Sequence, residues 1–273
     1  MTKESIECAV SGSTPTKAPF KIRPRRAAII VRDWRQDIKG QKLAHRDCGY
    51  APHLQAILKT CGDNKCDTAM FALWSHSTKD GGKLHPKNLF STSGSCNTVI
   101  IGAMPQPWKN ERVHVLQRGQ AVQSSLVQCF SASADSRAQK RAFVDEFGAR
   151  LFGNTFVMLC GESNIIGTRR KEKPPIRDEF SFRSLLKQEG VSVILNPIHT
   201  FMRRYEMPLK RKALSQPGIS VISAWNAGDT DGESTLPWQH WHNGIDRTSY
   251  VKELPEPVSG VPGIRIAIVE IPE

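Results

Sequence analysis

One stretch, NTFVMLCGESNIIG at residues 154–167, constrains what this chain can fold into more than any other. Residues 155–159 (TFVML) are a short apolar run of strand character, and the polar, Gly-containing CGES that follows ends it at once. Cys160 therefore sits at the C-terminal end of a buried strand, where open α/β sheets place their chemistry. Gly161 permits the tight turn that pushes the thiol out toward a cleft, and Glu162 follows two residues after it. Two later runs, VSVILNPIHT (191–200) and ISVISAWNAG (219–228), repeat the design of an apolar strand ending in polar, catalytically usable residues.

The rest of the chain supplies partners for these strands. RAAIIVRDW (26–34) reads as a buried first strand, DTAMFALW (67–74) as a second, NTVIIGA (97–103) as a third and RVHVLQR (112–118) as a fourth. Helical patterns fall at 52–60, 139–150 (with Phe143 and Phe147 on one face), 180–189 and 206–215. IRIAIVEI (264–271) alternates like a half-exposed edge strand, and residues 75–95 form a long polar loop. Strands alternating with helices predict an α/β fold with helices covering a sheet. Residues 1–22, rich in Ser, Thr, Pro and Lys, predict a flexible lead-in, and residues 23–273 a single domain.

Totals narrow the function classes. No run of about 18 apolar residues is present, which predicts no membrane span, and the polar N-terminus lacks the apolar centre of a secretory signal. Seven cysteines at irregular spacing do not form a disulfide framework, so a reducing, cytoplasmic setting is expected. Lys and Arg number 38 against 26 Asp and Glu, a formal net charge of +12, which favours anionic ligands or partners.

Taken in order, RAAIIV, LCGESN, VILNP, KRKALSQPGISVISAWNAGDTDGES and IRIAIVEIP resemble the nitrilase (carbon–nitrogen hydrolase) superfamily over roughly residues 26–271. The resemblance implies a four-layer αββα sandwich, usually dimerised, that acts without a cofactor. It also implies an amidase-type reaction in which a Cys nucleophile passes through a thioester, a Glu acts as base and a Lys stabilises the oxyanion. Cys160–Gly161–Glu162 matches the nucleophile motif, and Asn196–Pro197 the next strand end, with Ile198 where Ser is common. The family's Glu ends the second strand, where this chain has Phe71, Ala72, Leu73, Trp74, Ser75 and His76; the family's Lys falls near Gln128.

The roles are therefore assigned as Cys160 the nucleophile, Glu162 or His76 the base, and Lys140 the oxyanion stabiliser, with Gln128, Asn196 and His199 shaping a substrate pocket. The alternative is a fold that has lost catalysis and serves as a scaffold or binder of an anionic ligand or a partner chain, as a homo-oligomer or inside a larger assembly. His45, Cys48, Cys61 and Cys66 offer four soft ligands, but their spacing is irregular, and no metal is expected. WQHWH (238–242) reads as a packed aromatic loop near the active-site mouth. Basic runs lie at 22–26, 168–173 and 203–212; the resemblance places the last two on the cleft side, where they would form a positively charged rim, and the scarcity of interleaved aromatics weighs against nucleic acid.

Overall fold

The computed structural model describes residues 18–33, 51–73, 89–91, 93–103, 112–120, 124–131, 136–168, 176–200, 206–227, 236–255, 258 and 263–272. In chain order these form β1 (Arg26–Arg32), α1 (Ala51–Asp63), β2 (Thr68–Phe71), β3 (Thr98–Ala103), β4 (Arg112–Gln117) and β5 (Ser124–Val127). There follow α2 (Arg137–Asp145), α3 (Phe147–Arg150), β6 (Leu151–Phe152), β7 (Thr155–Val157), a 3-10 turn (Glu162–Ile165), β8 (Gly167–Thr168) and β9 (Ile176–Arg177). The second half holds α4 (Phe182–Gln188), β10 (Val193–Thr200), α5 (Glu206–Leu214), β11 (Ser220–Asn226), β12 (Trp238–His242), β13 (Ile245–Asp246), β14 (Lys252–Glu253) and β15 (Ile264–Glu270).

The larger strands make two sheets, ordered β14-β15-β1-β2-β3-β4-β5 and β13-β12-β11-β10-β7-β6. Both are mixed: β1–β2–β3 and β7–β10–β11 run parallel, and the flanking strands antiparallel. The period-two alternation of the strands decides the layers. Ala27, Ile29 and Val31 of β1 face Val157, Leu195 and Ile222 of the second sheet across one shared core. The intervening Ala28 and Ile30 face outward and bury Leu54, Ile57 and Leu58 of α1. On the far face of the second sheet, Phe156, Ile194 and Val221 pack beneath Phe143, Phe147, Phe182, Leu186 and Leu214 of α2 to α5. This is the four-layer αββα sandwich implied by the nitrilase resemblance.

Local chemistry accounts for the helices. Ser136 caps α2 and exchanges hydrogen bonds with Gln139 in a capping box, while Phe143 turns inward. Asp178 accepts from the N–H groups of Phe182 and Arg183, occupying two donors at the start of α4 that have no partner within the helix. The expected helix over 139–150 is two helices, because the backbone breaks out of helical geometry at Glu146.

Other expectations change. The last strand is not an edge: β15 lies between β14 and β1 and is buried along most of its length. β5, half-exposed and short, was not foreseen, since SSLV carries too little apolar pattern. The lead-in is part of the fold by residues 18–22: Phe20 stacks on Phe152 at 5.3 Å, and Ile22 is buried and bonds to the Phe152 carbonyl. Among the described residues no helix is long and apolar enough to cross a membrane.

WQHWH is strand β12 rather than a loop, and its alternate residues Trp238, His240 and His242 are buried. The Ser220 hydroxyl lies 2.9 Å from His242 Nδ1 and 3.4 Å from His240 Nε2. Burial, then the neighbouring His242 and Arg247, bring His240 down to about 4. The neutral ring is therefore the one this site favours. Its contribution to stability is full above the ordinary histidine value near 6.5 and is lost as pH falls from there toward about 4. Urea unfolding at pH 7 and pH 5 should show a loss on the order of 1–3 kcal/mol that shrinks in His240→Gln.

Candidate functional site

The residues that point to chemistry converge at the C-terminal ends of β7, β10 and β11. β7 ends at Val157, and Met158 and Leu159 carry the chain to Cys160, which is buried at the margin of the core between the sheets. Gly161 follows at φ +79°, a left-handed conformation that glycine adopts without strain. It is also the only residue type that fits: a Cβ there would stand 2.4 Å from the Ser131 carbonyl oxygen.

Glu162 holds this turn and is fully buried. One carboxylate oxygen accepts from the Leu159 N–H at 2.7 Å and from Arg150 at 2.9 Å; the other accepts from the Cys129 N–H at 2.8 Å. Arg150 also donates to the Val127 carbonyl at 2.6 Å and lies over the Phe143 ring. Burial pushes the Glu162 carboxyl up from its ordinary value, and Arg150 with the two backbone donors opposes that push. Both oxygens of Glu162, expected as one option for the general base, are thus engaged by donors that hold the turn.

Asn196 grips the same backbone from the other side. Its amide donates to the Met158 carbonyl at 2.8 Å and reaches the Leu159 carbonyl at 3.4 Å, and its own oxygen accepts from the Ser223 hydroxyl at 3.1 Å. Ser223 accepts in turn from Arg211 of α5 at 3.1 Å. The adjacent Lys210, also buried, donates to Asn164, whose amide donates to the Ser131 carbonyl at 2.8 Å. These two residues of the 203–212 basic run are thus interior, not part of a solvated rim.

The remaining candidates divide. Lys140 stands on the outer helix α2, 6.0 Å from the centre of the Phe130 ring, which belongs to the outer aromatic cluster. Gln128 is half-buried and turned back on its own loop, donating to the Phe130 carbonyl. Leu73 occupies the end of the second strand and is buried, its N–H donating to the Ile198 carbonyl at 3.0 Å and its carbonyl accepting from Asn226. His199 lies three residues after Asn196 along β10. His76, His45 and Cys48 fall outside the described residues.

Cys61 and Cys66 lie with Cys96 in the apolar layer between α1 and the first sheet, where burial pushes Cys66 up to about 11 and Cys96 up to about 12. Among the described residues no group of three or more His, Cys, Asp or Glu is arranged to hold a metal ion. Arg150 and Arg211 escaped the sequence analysis. Arg150 is separated from Glu162 by a helix end and a strand pair, and Arg211 is indistinguishable in sequence from its solvated neighbours.

Comparison with known proteins found no matching protein-family model and no matching curated protein. Among solved structures, the chain is similar to a glutamine-dependent NAD+ synthetase from Acinetobacter baumannii bound to ADP, at 12% identity and TM-score 0.43 over 90% of this chain; it spans 45% of that chain's length. It is also similar to the amidase from Nesterenkonia sp. AN1 carrying the acetamide moiety of fluoroacetamide on its active-site cysteine, at 10% identity and TM-score 0.44 over 90% of each chain. An alanine mutant of that amidase, described as of the nitrilase superfamily, gives 10% identity and TM-score 0.41 over 93% of this chain and 94% of the other. Likenesses at this level do not reach the chemistry of the site, which stands on its own geometry.

Two substitutions test the turn. Gly161→Ala meets the Ser131 backbone and a positive φ together, so it should cost about 1–3 kcal/mol in urea unfolding and alter the reactivity of Cys160. Glu162→Ala leaves Arg150 buried without its carboxylate, and a loss of about 3–5 kcal/mol is expected in the same measurement.

Proposed function

We propose that this chain is an amidase-type carbon–nitrogen hydrolase with Cys160 as its nucleophile. The observation that carries this reading is the double anchoring of Leu159, N–H to Glu162 and C=O to Asn196, directly before a thiol on a glycine turn. A buried structural cysteine needs no such scaffold, whereas a nucleophile that must meet a carbonyl carbon within a fraction of an ångström does.

The reaction takes two steps. The Cys160 sulfur attacks the carbon of a small amide, the C–N bond breaks, and the amine leaves with a proton. A thioester remains. Water then adds to the thioester, the C–S bond breaks, and the acid and the free thiol are released. Glu162 is committed to the turn, so the base role passes to His76, which follows Leu73 by three residues. Asn196 sets the pocket floor by holding the strand end. A +12 chain favours an amide that also carries negative charge.

A second reading, a binding or assembly scaffold of the same fold, is favoured by one observation. Leu73 is buried and apolar at the end of the second strand, where the family resemblance calls for a carboxylate.

Incubation of the protein with a panel of small neutral and anionic amides, quenched in acid and read by intact mass, separates the two. The expected result is an acyl adduct mapped to Cys160, absent in Cys160→Ala, with amine release slowed about 10²–10⁴-fold in His76→Ala. Absence of any adduct across the panel, from wild type that is folded, would leave the scaffold reading in its place.

A further inference from the structure

Arg211 presents an electrostatic problem that the fold does not solve by itself. The residue is buried, and its guanidinium donates to two neutral acceptors, Ser223 at 3.1 Å and Gln239 Oε1 at 2.6 Å, while lying 5.3 Å from the centre of the Trp225 ring. Among the described residues no carboxylate makes an ion pair with it. The other buried guanidinium of this layer, Arg150, has Glu162 at 2.9 Å. A charge held away from water without an opposite charge is costly, and chains seldom keep one without use for it.

The position of Arg211 supplies the use. Ser223 and Asn196 are register partners on adjacent strands, and a continuous hydrogen-bonded line runs from the guanidinium through Ser223 and Asn196 to the Leu159 carbonyl, the group preceding Cys160. We propose that Arg211 is the counter-charge of the Cys160 thiolate, keeping the thiol ionised near neutral pH. The inference rests on Cys160 acting as the nucleophile.

The electrostatics agree with the geometry. Burial brings the Arg211 guanidinium down to about 10, and of the negative groups opposing that fall Cys160 comes first and Asp246 second. Of the other charged groups around the turn, Glu162 pairs with Arg150, and Lys210 donates to the neutral Asn164. Asp246, on β13, is the remaining anion acting on Arg211. A thiolate with a guanidinium as its partner is more nucleophilic at neutral pH than a thiol in an apolar core, and this positioning role needs no contact between Arg211 and substrate.

The test is the thiolate absorbance titration of wild type minus that of Cys160→Ser, in which the other cysteines cancel. The expected midpoint lies below the ordinary thiol value of about 8.5. Arg211→Gln should raise it by about one unit or more, and Arg211→Lys should keep it low. Gln239→Glu changes one atom and places a carboxylate on the guanidinium without removing it. It should raise the midpoint in the same direction, and it decides the matter where Arg211→Gln does not fold. A wild-type midpoint at or above the ordinary value overturns the proposal. So does a low midpoint that stays put in Gln239→Glu with the fold intact by circular dichroism. The titration reads the thiol whether or not any amide is turned over. A depressed, Arg211-dependent midpoint without an acyl adduct therefore counts against the hydrolase alone.

Discussion

The buried pair of Arg150 and Glu162 is the interaction on which the rest of this structure depends. It joins four pieces of chain: the Val127–Cys129 segment at the end of β5, the end of α3, the end of β7 and the turn carrying the thiol. A buried ion pair is seldom a net source of stability, because desolvation offsets much of its Coulomb energy. What it provides here is definition. Both carboxylate oxygens of Glu162 have donors: two backbone N–H groups and a side chain that itself bonds backbone. The turn consequently has one low-energy geometry, and Cys160 has one position.

A second constraint acts between the sheets. Strand ends β1 and β11 meet in a parallel bridge between Asp33 and Ala227, with the Asn226 amide bonding both the Arg32 N–H and the Leu73 carbonyl. Leu73 in turn bonds the end of β10 at Ile198. The sandwich is therefore stitched at the edge where Cys160 lies, by hydrogen bonds rather than by apolar contact alone. At the opposite edge, Ile22 and Phe20 close the core over β6 and β7. Between the two closures, alternating strand residues fill a continuous apolar layer. That layer excludes water from the groups behind the thiol, so each charge there acts at longer range than it would at the surface.

Much of the architecture was legible in the sequence because it is written in local periodicity. β1, β3, β4, β10, β11 and β15 are dense in Val, Ile and alternating apolar residues, and the structure places a strand within each stretch so identified. Phe143 and Phe147, four residues apart, foretold the outer aromatic cluster in which both rings lie within 6 Å of Phe182. The thiol turn was legible for the same reason: a strand, a cysteine and a glycine in succession are a local pattern. Misreadings came where local pattern is silent. β12 reads as a loop because Trp, His and Gln alternate without an aliphatic residue, and β15 reads as an edge because Arg265 and Glu270 interrupt its apolar run.

By itself, then, the sequence determined the succession of strands and helices, the two-faced burial of the strands and the placement of Cys160 at a strand end, since each follows from steric preference and hydrophobic period over a few residues. Only the tertiary structure decided which of the basic residues are interior. Lys210 and Arg211 stand in a run that reads as solvated, and Lys140 was the amine that reached for the site by chain position. Docking of α5 against β11 buries the first two, while the third stands on α2 beside Phe130. Burial is a property of what packs on top of a residue, and a charge acquires its energetic meaning only once that packing has removed the water around it.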